Sequence, residues 1–191
     1  ADLGARLLSS DDPAECAEIA AELDALNAER KQIEADVLDA AQAQIMAAGD
    51  TDAPLLIARG EGWHPGVIGI VAGRLKERFG RPAIVIGTEN GIGKGSGRSV
   101  AGVDLGSAIG AAKADGLLTA GGGHPMAAGL TIDARRIDEL QAFLAARLQA
   151  DWDASHETRA MMLDAILTPS GASVDLAERI MAAAPFGQDF P

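Results

Sequence analysis

The sequence predicts an α/β protein: a long N-terminal connector helix, then a mixed β-sheet domain with a βαβ unit and helices on the faces of its sheet. Residues 13–48 carry an uninterrupted helical pattern of apolar positions. Residues 54–86 read as strand, helix and strand, which is a βαβ unit. The second of these strands, at residues 83–86, is apolar throughout, as is typical of a sheet covered on both faces.

The ends of the long helix carry local signals. Asp12 can cap the first turn, Pro13 suits that turn, and Glu15 can complete a capping box. Gly49 is the predicted end. The helix would be about 54 Å long at ~1.5 Å per residue. Its apolar residues keep no clean heptad, so we expect a connector rather than a coiled coil.

The βαβ unit consists of a strand at residues 54–58, a helix at 64–79 and the strand at 83–86. In the helix we predict a buried side formed by Val67, Ile68, Ile70, Val71 and Leu75. Further along the chain the pattern predicts helices at residues 104–114, 137–148 and 175–184, and strands at 127–132 and 161–167.

Three regions are predicted from these elements: the connector helix at residues 1–52, the mixed-sheet domain at 53–150, and a C-terminal extension at 151–191. The chain begins without Met and ends without a closing element, so we expect it to be part of a longer protein.

Composition excludes several classes of protein. Cys16 is the only cysteine, which excludes an intramolecular disulfide and a cysteine-cluster zinc site, and fits a reducing cytoplasmic location. No apolar run reaches the roughly 18 residues of a membrane span. The sequence shows no metal-ligand spacing among its His, Asp and Glu residues and no nucleophile elbow, so we expect no self-sufficient catalysis and no bound cofactor in this chain.

Charge is distributed unevenly. The formal net charge is −12, which taken alone argues against nucleic-acid binding. However, residues 53–98 carry a net charge of +4 between two acidic flanks. This basic segment is either a phosphate-binding surface or an ordinary solvated helix face.

The first glycine-rich segment, residues 93–99, combines glycines with hydroxyl and basic side chains. Its candidate phosphate-binding residues are Lys94, Ser96, Gly97, Arg98 and Ser99. Glycines let a backbone approach a ligand, and an arginine can hold a phosphate through two parallel hydrogen bonds. A surface turn is the alternative interpretation, and the spacing of a Walker loop is absent.

The second segment comprises Gly121, Gly122, Gly123 and His124. It is either a tight turn or a backbone cradle for phosphate, with His124 as a donor or proton-transfer partner. His64 lies near the predicted start of a helix, where the positive end of the dipole favours an anion. A local hydrogen bond is the alternative role for His64.

Three segments resemble the RecJ family of single-stranded-DNA-specific exonucleases in the DHH phosphoesterase superfamily. They are residues 62–75 (GWHPGVIGIVAGRL), 95–99 (GSGRS) and 121–129 (GGGHPMAAG). The GGGH element alone is shared with other members of the superfamily, whereas the first segment is much more specific to the RecJ family.

The resemblance implies a two-lobed enzyme that degrades single-stranded DNA 5′ to 3′ in repair and recombination. The lobe that holds Mn²⁺ or Mg²⁺ is missing from this chain, which would therefore be inactive alone, and residues 151–191 would begin an OB-fold. Arg98, with Ser96 and Ser99, would hold a DNA phosphate, His124 would reach the scissile or adjacent phosphate, and His64 would line the same cleft. The implied partners are single-stranded DNA and a single-strand-binding protein or recombination helicase.

Two other functions are compatible with the sequence. One is a lobe of a phosphodiesterase of the same superfamily that acts on short oligonucleotides or cyclic dinucleotides. The other is a non-catalytic interaction module built on the long helix. Only Trp63 and Phe79 are aromatic near the basic segment, so we expect nucleic-acid binding through phosphates more than through base stacking.

Overall fold

The computed structural model describes residues 2–49, 53–157 and 166–184. The chain divides into two compact units, Ala1–Glu157 and Thr158–Pro191. The first contains five helices and five strands in its described residues. In chain order they are α1 (Asp2–Ser9), α2 (Pro13–Ala48), β1 (Leu56–Glu61), α3 (Pro65–Phe79), β2 (Ala83–Glu89), β3 (Ile92–Arg98), α4 (Leu105–Ala114), β4 (Ala120–His124), β5 (Ala127–Asp133) and α5 (Ile137–Glu157).

The long helix α2 begins and ends as predicted. The Asp12 carboxylate accepts from the backbone N–H of Ala14, and Gly49 adopts the left-handed conformation at the C-terminal end. The predicted capping box is wrong. The Glu15 carboxylate instead accepts from the Ser10 hydroxyl at 2.6 Å and pairs with the guanidinium of Arg6 at 2.7 Å. These bonds tie α2 to α1, a helix that the sequence pattern did not predict.

The five strands form one mixed sheet in the order β1-β2-β3-β5-β4. Strands β1 and β2 are parallel and connected by α3, which confirms the βαβ unit. The other neighbouring pairs are antiparallel. The sheet therefore has β1 at one edge and β4 at the other.

Helices cover both faces of β2, as its apolar sequence predicts. Ile84 and Ile86 point into a core shared with α4 and α5. Ala83 and Val85 point into a second core shared with α2 and α3. The predicted α3 core is correct except at Ile70, which is 38% exposed and lies on the outer side of the helix.

Both glycine-rich segments are strands, β3 and β4, rather than the turns or loops that their composition suggested. Alternate glycines of these strands pack directly against the core side chains of α4. A Cβ atom at Gly97 would lie 2.6 Å from Leu105 Cδ2, and one at Gly121 would lie 3.0 Å from Ile109 Cγ2. Glycine at these positions lets the sheet pack closely on large side chains.

The described part of the second unit contains α6 (Val174–Met181), which confirms the helix predicted at residues 175–184. Ser173 caps its first turn by accepting from the Leu176 backbone N–H. The strand predicted at residues 161–167 falls mostly outside the described residues. Its last two residues, Ile166 and Leu167, are not in a strand.

Candidate nucleic-acid interface

On one face of the sheet, no helix among the described residues packs over β5 and β4. Helix α3 packs on β2 and β3, whereas the side chains of β5 and β4 on the same face are partly or fully exposed. We call this uncovered part the open face. It consists of Ala120, Gly122, His124, Ala127, Gly129 and Thr131.

Cross-strand register places Ser96 and Arg98 of β3 at the border of the open face. Arg98 is opposite Ala127, which is opposite His124, and Ser96 is opposite Gly129, which is opposite Gly122. Arg98 and His124 are thus two strand spacings apart, or roughly 10 Å between their backbones. The open face is a floor of small residues with a guanidinium on one side and an imidazole on the other.

The Arg98 side chain is half-buried and oriented by short-range bonds. Its Nη1 donates to the Gly97 carbonyl oxygen at 2.9 Å and to the Ser96 hydroxyl at 3.3 Å. Arg98 has no carboxylate partner within the described residues. Because a guanidinium carries five N–H donors, most of them remain available to a phosphate.

Gly69 of α3 makes room for this arrangement. A Cβ atom at residue 69 would lie 3.0 Å from Ser96 Oγ and 3.4 Å from Arg98 Nη2. The helix therefore lies directly against both side chains and limits the positions that they can adopt.

His124 is exposed at the outer edge of the open face, and no hydrogen bond to its side chain occurs within the described residues. Its backbone position is fixed by α4. A Cβ atom at Gly106 would lie 2.7 Å from the carbonyl carbon of His124, and the Leu105 N–H donates to the Pro125 carbonyl at 3.1 Å. Backbone contacts with α4 thus hold the strand end that carries the exposed imidazole.

His64 and Lys94 lie together at another place. Both line a cavity of about 330 Å³ at the carboxyl ends of β1 and β2, which also contains Glu89. His64 caps α3, because its Nδ1 accepts from the Gly66 N–H at 3.0 Å, so the predicted local hydrogen bond is present. Lys94 shares its face of β3 with Ser96 and Arg98, roughly 13 Å along the strand from Arg98.

Four predicted site residues point away from the open face. Gly97, Gly121 and Gly123 lie on the opposite side of the sheet or against neighbouring backbone. Ser99 is 1% exposed, and its hydroxyl donates to the Val103 carbonyl at 2.7 Å. Of the two glycine-rich segments, the structure therefore brings only Ser96, Arg98, Gly122 and His124 together at the open face.

Comparison with known proteins identifies the domain to which this surface belongs. Residues 52–150 match the DHHA1 domain, which is more than half of the chain.

The chain belongs to the DHHA1 domain family.

The predicted resemblance to RecJ is confirmed as well. The chain is 42% identical over 146 residues to the single-stranded-DNA-specific exonuclease RecJ of Bacillus subtilis, covering 75% of this chain and 18% of that protein. It is 38% identical over 198 residues to the RecJ of Dickeya dadantii, covering 99% of this chain and 34% of that protein. The chain thus spans about a third or less of the length of these curated relatives.

Solved structures of RecJ share the fold. The crystal structure of Thermus thermophilus RecJ in complex with Mg²⁺ superposes with a TM-score of 0.77 at 27% identity, covering 100% of this chain and 29% of that one. The Mn²⁺ complex of RecJ from the same organism superposes with a TM-score of 0.68 at 32% identity, covering 78% of this chain and 22% of that one.

The basic residues of segment 53–98 differ in the partners that their side chains have. Arg59 pairs with Asp138 at 2.8 Å, and Arg74 lies 3.8 Å from Glu34. Arg78 donates a hydrogen bond to the Gln42 side chain and lies over the Phe79 ring. Arg81 donates to the Ala53 carbonyl oxygen and lies over the Trp152 ring. These four arginines have structural partners. Lys76, Lys94 and Arg98 have no ion pair within the described part of the chain; Lys76 lies on α3, whereas Lys94 and Arg98 lie on the same face of β3.

Across residues 2–49, 53–157 and 166–184, no group of three or more His, Cys, Asp or Glu side chains could hold a metal ion. No helix in the same ranges combines the length and apolar character that a membrane span requires.

Two glycines at this surface were not among the predicted site residues. Gly69 faces Ser96 and Arg98, and Gly129 lies on the open face between Ser96 and Gly122. Glycine inside a strand often marks a site where a ligand or another backbone approaches closely, which could have indicated Gly129. Gly69 belongs with Gly66 and Gly73 to a row of small residues that predicts close approach of a neighbouring element to α3, and at Gly69 that element is β3.

Proposed function

We propose that this chain is the substrate-binding part of a 5′-to-3′ single-stranded-DNA exonuclease, in which the open face and its border hold phosphates of the DNA. The observation that carries the proposal is the Arg98 guanidinium. It has no carboxylate partner in the described residues and is oriented by Ser96 and Gly97, and Arg98 lies two strands from His124 on the same face of the sheet.

The contacts of this chain would position the substrate without reading its sequence. Arg98 would bind one phosphate through two parallel hydrogen bonds, and Ser96 would add a hydroxyl donor. His124, across the open face, would contact the scissile or adjacent phosphate and stabilise charge that develops there. Phosphate contacts fix register and orientation but carry no base preference, which suits an enzyme that degrades strands of any sequence.

The divalent ion belongs to the proposal as a component held outside this chain. Mn²⁺ or Mg²⁺, the ions named for the solved RecJ structures, would supply a nucleophile from bound water and polarise the phosphoryl group. The residues of this chain would hold the strand in line with that centre. Alone, the chain would bind DNA weakly and hydrolyse nothing.

The finer assignments follow from the same proposal. Residues 1–52 would be the connector helix, 53–150 the binding domain, and 151–191 an extension that begins an OB-fold. Lys94 and His64 would guide the DNA strand past the cavity that they line. Ser99, Gly97, Gly121 and Gly123 would act by fixing the β-strands that carry the contacts. The proposal also includes a cytoplasmic location and a role in DNA repair and recombination. Its expected protein partner is a single-strand-binding protein or a recombination helicase.

The proposal is tested by fluorescence anisotropy of a labelled, 5′-phosphorylated 20-nucleotide single strand at low salt. We expect saturable binding that weakens by about 10- to 100-fold in Arg98→Ala, as loss of a charge-assisted hydrogen-bonding group would cause. Arg147→Ala is the matched control, because Arg147 is exposed on α5 on the opposite side of the sheet. Equal affinities for the parent and Arg98→Ala would refute the role of Arg98.

The length of the ligand separates this function from a phosphodiesterase for short substrates. An exonuclease surface should bind the 20-nucleotide strand more tightly than a dinucleotide or a cyclic dinucleotide, because more phosphates contact it. Tighter binding of the dinucleotide would favour the alternative. Self-association without dependence on Arg98 would favour an interaction module.

A further inference from the structure

The turn that joins β4 to β5, formed by Pro125 and Met126, is held from outside its own hairpin. The Pro125 carbonyl oxygen accepts from the Leu105 N–H at 3.1 Å, and the Met126 carbonyl oxygen accepts from the Ser99 N–H at 2.9 Å. Ser99 follows β3 directly, and Leu105 begins α4. The short connection between β3 and α4 therefore holds the end of the strand that carries His124.

The Leu105 N–H is available for this bond because a carboxylate takes up the donors that follow it. The first N–H groups of an α-helix have no partner within the helix. The Asp104 carboxylate accepts from the Ser107 N–H at 2.9 Å and from the Ser107 hydroxyl at 2.7 Å. The bond from the Ser107 N–H is the largest contribution that lowers the pKa of Asp104, and the Gly106 N–H adds to it. Only the Leu105 N–H then remains to donate to the turn.

The first turn of α4 also lies directly against the backbone at the end of β4. A Cβ atom at Gly106 would lie 2.7 Å from the carbonyl carbon of His124 and 3.1 Å from that of Gly123. Because these backbones touch, a displacement of the first turn of α4 moves the strand end. No hydrogen bond to the His124 side chain occurs within the described residues, so the strand end is what locates the imidazole.

We propose that Asp104 is a positioning residue for His124. By capping α4, its carboxylate aims the Leu105 N–H at the Pro125 carbonyl and so fixes the strand end from which the imidazole reaches a DNA phosphate. Asp104 acts through the backbone, because α4 packs on the opposite face of the sheet from the open face. The proposal rests on the proposed function, since it requires His124 to contact the substrate.

The test is a double-mutant cycle on binding of the 5′-phosphorylated 20-nucleotide strand. We expect Asp104→Ala to weaken binding by about three- to tenfold, which is within the usual coupling of residues in one network. In the His124→Ala background the same substitution should change affinity by less than about twofold, because the group that it positions is absent. Asp104→Asn should restore parental affinity, because asparagine caps helices as well as aspartate does.

Asp12→Ala is the matched control. Asp12 caps α2 by accepting from the Ala14 N–H at 2.9 Å, so its loss removes the same kind of bond from a helix that packs on α3 and β1. Both alanine variants should lower the unfolding temperature, but only Asp104→Ala should change affinity. An equal loss of affinity in Asp12→Ala would show that lower stability alone weakens binding, and would overturn the inference.

Amide hydrogen exchange tests the contact with the turn directly. The Leu105 N–H should exchange at least about tenfold faster in Asp104→Ala and at the parental rate in Asp104→Asn. Ser107→Ala keeps the backbone bond to Asp104 and removes only the hydroxyl, so it provides a milder variant if Asp104→Ala does not fold. It should give intermediate exchange and affinity. Parental exchange of the Leu105 N–H in Asp104→Ala would overturn the inference.

His124→Ala distinguishes failure of the inference from failure of the proposed function. If His124→Ala weakens binding while Asp104→Ala binds as the parent does, the histidine contact stands and the positioning role is wrong. The positioning role is also wrong if Asp104→Ala weakens binding equally with and without His124. If His124→Ala leaves affinity unchanged, or the parent does not bind, the proposed contact with DNA fails and the inference fails with it.

Discussion

Gly69 of α3 lies directly against the Arg98 side chain of β3, so that a Cβ atom at residue 69 would be 3.4 Å from Arg98 Nη2 and 3.0 Å from Ser96 Oγ. Helix α3 and strand β3 are thus in direct contact at this point, and the absence of a side chain at residue 69 leaves room for the guanidinium of Arg98. This contact couples the packing of the βαβ unit to the candidate phosphate site.

Enlarging residue 69 should therefore weaken DNA binding. We expect Gly69→Leu to displace the Ser96 and Arg98 side chains and to reduce affinity for the single strand by at least about tenfold, which anisotropy measures. Gly73→Ala, one turn along α3 with nothing within 4 Å of its Cβ, is the control. It should leave affinity unchanged and stabilise the helix by about 0.5–1 kcal/mol. Parental affinity in Gly69→Leu would contradict the coupling.

Helix α4 should need glycine at its second position. A Cβ atom at Gly106 would lie 2.7 Å from both the carbonyl carbon and oxygen of His124, and backbone cannot yield as a side-chain end can. We expect Gly106→Ala to lower the free energy of unfolding by about 1–3 kcal/mol, measured by urea denaturation. Gly110→Ala, in the same helix and free of contacts, should not lower it. Equal stability of the two variants would show that α4 packs differently on β4.

The exposed edge of β1 is protected by a side chain that imitates a neighbouring strand. Gln44 of α2 donates from Nε2 to the Arg59 carbonyl at 2.7 Å and accepts from the Arg59 N–H at 3.1 Å. We expect Gln44→Ala to reduce stability by about 1 kcal/mol, because two backbone groups lose their partner but can still reach water. Gln149→Ala, which removes only an exposed bond to Asp153 within α5, should have a smaller effect in the same urea titration. A larger loss from Gln149→Ala would contradict this assignment.

The Asp133 carboxyl group at the end of β5 should stay ionised to an unusually low pH. The Arg135 side chain, followed by the Arg135 backbone N–H, lowers the pKa of Asp133 from 3.8 to about 2. Because the folded pKa is the lower one, the ionised carboxylate stabilises the fold above about pH 4, and this contribution is lost as the pH falls toward 2. An NMR titration of the side-chain carboxyl carbon should show the low midpoint in the parent. It should show a higher one in Arg135→Ala, still below 3.8 because the backbone N–H remains. An unchanged midpoint would exclude the ion pair as the cause.

Local sequence signals predicted helices α2 to α6 but not α1, and they were insufficient for the glycine-rich strands. Both ends of α2 were predictable because Asp12 and Gly49 act on the turn next to them. In contrast, β3 and β4 could not be predicted as strands. Their glycines Gly97 and Gly121 pack against Leu105 and Ile109 of α4, and no local sequence pattern shows which element a strand packs against. The glycine-rich composition of the two segments suggested turns or loops, whereas packing on α4 requires glycine within strands.

The candidate site was predicted to a similar extent. Arg98, Ser96 and His124 could be chosen from residue chemistry, and register then brings them to one surface. Ser99 could not be told apart from Ser96, because only the fold shows that its hydroxyl is turned inward to Val103. Likewise, the interpretation of three consecutive glycines as one cradle missed that alternate residues of a strand face opposite sides, so that Gly122 alone lies on the open face.

The central claim, that Arg98 neutralises a DNA phosphate at the open face, is tested most directly by the salt dependence of binding. For a single strand, the slope of log affinity against log salt concentration is about −0.7 per phosphate neutralised. We expect the slope to become shallower by about that amount in Arg98→Ala and to stay unchanged in Arg147→Ala. Identical slopes for the parent and Arg98→Ala would mean that Arg98 contacts no phosphate, and would contradict the account.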